Sequence, residues 1–269
     1  MIEFLDVHKR FDVPVLAGVS LEVEEGETLS IVGTSGTGKS VLLKTSIGLI
    51  TPDRGDVRID GQSVYSASKG ILEEIRRKVR YVFQYAALFD SLNVFENVAM
   101  GLPEGMAHEL GGEEVLRRVT KSIEDVNLDP LVVLKKLPGE ISGGMKKRVG
   151  LARAIVGEPR IILYDEPVTG LDPVNAATVN NLISAIAERT KVTSVIVTHD
   201  IAGALEMSDR IALLDHGKLR FVGSPAEFRA SDDPLVHAFA DRHAAAQAAL
   251  RLLEEGDDDK DSTKNGAHA

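Results

Sequence analysis

The residues of this chain most clearly equipped for chemistry are Gly33-Thr34-Ser35-Gly36-Thr37-Gly38-Lys39-Ser40. Their spacing is G-x-x-x-x-G-K-[ST], that of a phosphate-binding loop. Gly36 and Gly38 permit backbone conformations closed to other residues, so successive N–H groups can converge on one anion. A helix starting at the loop's end would add partial positive charge at the same point. Lys39 is spaced to reach the β- and γ-phosphates of a nucleotide, and Ser40 to bind Mg²⁺.

Four other groups have the right chemistry for such a site. Ile161-Ile162-Leu163-Tyr164 is an apolar run ending in two carboxylates, Asp165 and Glu166. An Asp at the carboxyl end of a strand can hold Mg²⁺ beside a phosphate loop. The next carboxylate can polarise an attacking water. Thr198-His199-Asp200 follows another apolar run, and His199 there could hydrogen-bond a γ-phosphate. Ser142-Gly143-Gly144 precedes a helical stretch; Ser142 suits an N-cap, and two glycines leave N–H groups open to a second anion. Phe11 suits either an adenine-stacking platform or a buried core position, and the sequence leaves both open.

These groups need strands and helices to hold them. Thr28–Val32 is short, apolar and β-branched, so it reads as a strand entering the phosphate loop. Val41–Ile50 reads as the helix leaving it, stopped by Thr51-Pro52. Further strands are expected at residues 2–7, 15–23, 56–59, 79–84, 160–164 and 193–197. Helical periodicity covers residues 69–78 and about 173–189. From Phe95 to Val133 the pattern is helical, with breaks at Gly101-Leu102-Pro103 and Gly111-Gly112. Strand-helix-strand alternation predicts an α/β fold with a largely parallel, covered sheet and an inserted helical block. Pro234–Glu255, rich in alanine and leucine, should be helical, and the acidic residues after Gly256 should lack order. Its apolar residues, Leu235, Val236, Phe239, Leu250, Leu252 and Leu253, predict docking on a partner copy or accessory protein; packing on its own core is the competing fate.

Composition sets limits on partners. The 269 residues are 43% hydrophobic, enough for one large domain plus an appendage. A net charge of −10 argues against a nucleic-acid partner. The chain has no cysteine, which removes disulfides and thiolate metal sites. The N-terminus lacks the pattern of a secretory signal, and no run approaches the roughly 18 apolar residues of a membrane span. Work at a membrane would need a membrane-embedded partner.

In this order, the motifs resemble the ATP-binding subunit of ABC transporters, over about residues 1–230. The resemblance implies a P-loop NTPase core of the ABC type, a helical subdomain inserted at about 86–156, and a C-terminal extension at 231–269. It implies ATP and Mg²⁺ as ligands. Nucleotide contacts would run from Gly33 through Thr34, Ser35, Gly36, Thr37, Gly38, Lys39 and Ser40 to Val41, with Phe11 on the adenine. Ser40, Gln84 and Asp165 would hold the metal; Glu166, His199 and Lys39 would serve the reaction. Ser142, Gly143, Gly144 and Asp172 would belong to a signature and a D-loop. In this family two copies pair head to tail around ATP and drive a membrane permease, so a second copy and a permease are the implied partners.

One departure narrows the resemblance. The family's common signature is L-S-G-G-Q, whereas this chain has Ile141 and Met145. The stretch from Ser142 to Ala154 is similar to the ATPases of MCE-type lipid transporters, including the Mla phospholipid system. That implies lipid cargo, an MCE-domain protein and a small accessory subunit as further partners, at the cytoplasmic face of the inner membrane. An amino-acid-type solute importer is the alternative. A soluble ABC ATPase of translation or repair is a weaker one, because those carry tandem domains or long coiled coils.

Overall fold

The computed structural model describes residues 1–103 and 105–241. Two sheets carry the fold. One has six strands in the order β10 (Lys218–Gly223), β9 (Arg210–Asp215), β3 (Thr28–Val32), β8 (Thr193–Val197), β7 (Ile161–Asp165), β6 (Val79–Val82). The pairs β3·β8, β3·β9, β7·β8 and β6·β7 are parallel. β3, β7 and β8 are buried at every residue, as central strands of a covered parallel sheet are. β9 and β10 form an antiparallel hairpin closed by His216-Gly217, both at positive φ (45° and 74°), a type I′ geometry. The sequence reading did not include this hairpin.

The second sheet is antiparallel, in the order β2 (Pro14–Val23), β1 (Ile2–Arg10), β4 (Arg54–Ile59), β5 (Gln62–Ser63). β1, β2 and β4 match expected strands, whereas β5 and the separation of this sheet from the parallel one were not expected. Alternate residues Ile2, Phe4, Val19, Leu21 and Val57 pack into one core with Leu29, Ile31, Leu163 and Val195. That shared core fixes the antiparallel sheet against the phosphate-loop strand.

Helices α1 (Lys39–Thr45), α2 (Lys69–Lys78), α7 (Pro173–Thr190), α8 (Ile201–Met207) and α9 (Pro225–Arg229) belong to this α/β part. Between β6 and β7 lies the helical block, α3 (Val94–Ala99), α4 (Met106–Glu124), α5 (Pro130–Val133) and α6 (Gly143–Ile155). Val94, Val98, Val119, Ile123 and Val149 form its centre and join the core under α7. Gly111, at φ 75°, kinks α4 where the sequence predicts a break.

Two boundaries differ from expectation. α1 ends at Thr45, well before Thr51-Pro52. Gly48 adopts φ 69°, its N–H bonds the Thr45 carbonyl at 3.2 Å, and the Leu49 N–H bonds the Lys44 carbonyl at 3.1 Å. This is a Schellman closure, and glycine rather than proline stops the helix. β6 ends at Val82, so Gln84 lies on the turn beyond the strand.

Residues 234–241 are helical. Val236 is fully buried, and Leu235 and Phe239 pack on the cluster of Val32, Leu213 and Phe228. The first turns of the extension therefore lie on their own core, against the expectation of docking in trans. Leu250, Leu252, Leu253 and the acidic stretch lie outside the described residues.

Candidate functional site

β3 leaves the core at Val32 and the chain turns through residues 33–38 before α1 begins at Lys39. Two glycines are dictated by close approach. A β-carbon at Gly33 would lie 2.3 Å from the Leu214 carbonyl oxygen, and one at Gly38 would lie 2.7 Å from that of Val15. Lys39 is 5% exposed, and its ammonium donates to the carbonyls of Gly33 at 2.8 Å and Thr34 at 2.9 Å. Burial lowers its pKa; the neighbouring carboxylates of Glu166 and Asp165 act against that. Thr37 also donates to the Thr34 carbonyl, at 2.9 Å. The loop thus gathers on itself the donors that a polyphosphate would take.

Asp165 ends β7 and faces α1. The Ser40 hydroxyl donates to its Oδ1 at 2.6 Å, and the Tyr81 hydroxyl to its Oδ2 at 2.7 Å. Lys44 stands 3.8 Å from Oδ2. Among the described residues no three His, Cys, Asp or Glu side chains cluster as a protein-built metal cage. A hydroxyl and one carboxylate in contact suit Mg²⁺, which takes few protein oxygens and completes its shell with phosphates and water. The donor set fits that ion.

Glu166, the next residue, has φ 51°, a left-handed conformation costly for a residue with a long side chain. Its N–H still bonds the Val197 carbonyl at 2.8 Å, so the turn is anchored in the sheet. The left-handed turn and this anchor set where its carboxylate sits. Oε2 accepts from His199 Nδ1 at 2.6 Å, from the His199 backbone N–H at 3.3 Å and from Thr169 Oγ1 at 3.2 Å. With the carboxylate as acceptor, the histidine proton sits on Nδ1 and Nε2 is left for another partner. The His199 side chain is 62% exposed.

Phe11, Lys39, Ser40, Gln84, Glu166 and His199 line one cleft of about 550 Å³, with Ser35, Gly36, Gly38 and Val41 on its walls. That volume suits a small-molecule ligand. Phe11 is 54% exposed at the β1–β2 turn, with the Lys9 ammonium 5.4 Å from its ring centre. The buried-core reading of Phe11 is thereby excluded. Gln84 accepts at its backbone oxygen from Lys147 of α6.

Ser142, Gly143, Gly144 and Asp172 do not line that cleft. Ser142 caps α6 by accepting from the Met145 N–H at 3.2 Å. Asp172 caps α7, accepting from the backbone N–H groups of Val174 at 3.1 Å and Asn175 at 3.0 Å and from the Asn175 side chain. Those bonds, the Asn175 side chain's first, hold its carboxyl below the usual range. A β-carbon at Gly144 would lie 3.0 Å from Asn175 Oδ1, so the two caps adjoin. Met145 packs its side chain on the core of the helical block. The sequence reading missed Tyr81, Thr169 and Lys147. Neither Tyr81 nor Thr169 has a local signal, since the Tyr81 contact depends on how β6 and β7 pair.

The family model described as ABC transporter matches residues 16–169. The chain is 40% identical over 227 residues to the probable ribonucleotide transport ATP-binding protein mkl of Mycobacterium leprae, covering 82% of this chain and 62% of that protein. It thus spans about three fifths of the length of that relative and its mycobacterial counterparts. It is 39% identical over 260 residues to TRIGALACTOSYLDIACYLGLYCEROL 3, chloroplastic, of Arabidopsis thaliana, covering 89% of this chain and 73% of that protein. Among solved structures, the dimeric post-hydrolysis state of the ATP-binding cassette MJ0796 bound to ADP and Pi superposes with TM-score 0.75 at 32% identity, over 84% of this chain and 99% of that one. A phosphate loop facing a carboxylate pair, and a family match running from β2 through Thr169, lead to one assignment: this chain belongs to the ABC transporter family.

Proposed function

We propose that this chain binds and hydrolyses ATP as the energy-coupling subunit of a lipid-moving ABC transporter. The observation that carries the ATPase reading is the convergence of Lys39, Ser40, Glu166 and His199 in one cleft with Phe11 exposed at its rim. Phe11 stacks on adenine. The loop from Gly33 to Ser40 wraps the phosphates, with Thr34, Ser35, Gly36, Thr37 and Val41 contributing backbone contacts, and Lys39 trades its loop carbonyls for phosphate oxygens. Ser40, Asp165 and Gln84 would hold Mg²⁺, which when bound neutralises charge on the β- and γ-phosphates. Glu166 accepts a proton from water as the water oxygen bonds the γ-phosphorus and the bond to the bridging oxygen breaks. His199 fixes the Glu166 carboxylate and can turn Nε2 toward the γ-phosphate.

The helix start at Ser142-Gly143-Gly144, with Asp172 beside it, stands outside its own cleft. On this reading it serves the cleft of a second copy. The solved dimer of an ATP-binding cassette supports the pairing by likeness.

Lipid cargo rests on the Ser142–Ala154 stretch and on a relative whose name contains a glycolipid. The partners on this reading are a membrane permease, an MCE-domain protein and a small accessory subunit, at the cytoplasmic face of an inner membrane. No helix among the described residues is long and apolar enough to cross a membrane, so the permease supplies the attachment. The ribonucleotide-transport name of the mycobacterial relative favours a second reading, a small-solute transporter. Reconstitution with the cognate permease in vesicles tests both. ATP turnover that rises with phospholipid transfer supports the lipid reading; turnover that responds only to a soluble solute overturns it.

A further inference from the structure

The two oxygens of Asp165 have different partners. Oδ1 takes the Ser40 hydroxyl at 2.6 Å, whereas Oδ2 takes the Tyr81 hydroxyl at 2.7 Å. Asp165 is 5% exposed, so water has little access to replace the phenol. Lys44, 3.8 Å from Oδ2, is the competing partner. Tyr81 is held from both ends. Its backbone lies in β6, in parallel register with Leu163 of β7, and its ring packs on Phe83 with centroids 4.6 Å apart. The hydroxyl therefore reaches Asp165 from a fixed direction.

We infer that Tyr81 is the positioning residue of the Asp165 carboxylate, holding Oδ2 so that Oδ1 stays turned toward Ser40. The inference rests on the proposed metal role of Ser40 and Asp165 and deepens it. A carboxylate that meets a metal through one oxygen works best when its other oxygen is pinned, and loss of such an outer contact weakens metal binding by about 10- to 100-fold. Without the phenol, the carboxylate is free to rotate toward Lys44, and the Ser40–Oδ1 pair is lost.

The test uses the full chain carrying Tyr81→Phe, with Asp165→Asn as reference. A fluorescent ATP analogue is titrated in EDTA and then across Mg²⁺ concentrations, and thermal unfolding is followed in EDTA. Tyr81→Phe should bind the analogue as the parent does in EDTA and need about tenfold more Mg²⁺ for the half-maximal metal effect. Asp165→Asn should lose the metal effect. If Tyr81→Phe keeps the parental Mg²⁺ curve while Asp165→Asn loses it, the inference is overturned and the metal reading stands. A lower unfolding temperature with an unmoved Mg²⁺ curve assigns the phenol to packing and also overturns it. If Asp165→Asn keeps the parental curve, the metal reading fails and the inference falls with it.

Discussion

The short Glu166–His199 contact, 2.6 Å, sits on a residue held in a left-handed backbone, and strain of that kind is sustained only where surrounding structure over-determines it. Glu166→Gln keeps the shape and removes the proton acceptor. Turnover should fall on the order of 10²-fold or more while ATP binding persists, read by steady-state hydrolysis beside nucleotide titration. Unchanged turnover would remove Glu166 from the reaction. Phe11 makes a different case. It is more than half exposed, so truncation should change stability by about 0.5 kcal/mol or less. Phe11→Ala should weaken ATP but not inorganic triphosphate, and Phe11→Tyr should bind like the parent. Equal weakening of both ligands would sink the stacking role.

Among the elements, the helical block is held together by a few tight contacts. Asn97 of α3 is fully buried, accepts from the Phe89 N–H at 2.8 Å and donates to the carbonyls of Phe89, Leu92 and Asn93. Asn97→Ala strands the Phe89 N–H and the Leu92 carbonyl and should cost about 1–3 kcal/mol in denaturant unfolding. Gly101 lies so close to α6 that a β-carbon would overlap the Arg153 carbonyl. Gly101→Ala should lower stability by about 1–3 kcal/mol, with a shifted midpoint and an unchanged slope. A neutral outcome would mean that α3 moves freely on α6. The same scale shows what can be read from sequence. β3, β7 and β8 are largely apolar and buried at every residue, and burial on both faces explains why they stand out. The motif residues were legible because loop chemistry is local. Strand partnership is not local: nothing near Ile2 says that it will pair with Ile59 in a separate sheet. Tyr81 escaped for the same reason, since its bond to Asp165 spans 84 residues and depends on the register of β6 and β7.

For the whole molecule, the separation of Ser142 from the cleft makes a sharp demand. If two copies share their sites, Lys39→Ala and Ser142→Arg should each abolish turnover alone. Mixing them should restore part of it, because a mixed pair has one site with both halves intact. Gel filtration of the mixture checks that pairs form, and parental activity of Ser142→Arg alone would exclude a shared site. Phe11 and the phosphate loop raise a separate matter. The aromatic rides on the hairpin of the antiparallel sheet, whereas Lys39 and Ser40 follow β3 of the parallel one. A nucleotide lying in the cleft would thus be a strut between two sheets that otherwise meet through a shared apolar core and a few polar contacts, such as the Ala17 N–H on the Gly217 carbonyl at 2.8 Å. Bound ATP should slow amide exchange in β1 and β2 as well as around the loop. Inorganic triphosphate, which ends short of the aromatic, should quiet the loop and leave the hairpin breathing as before.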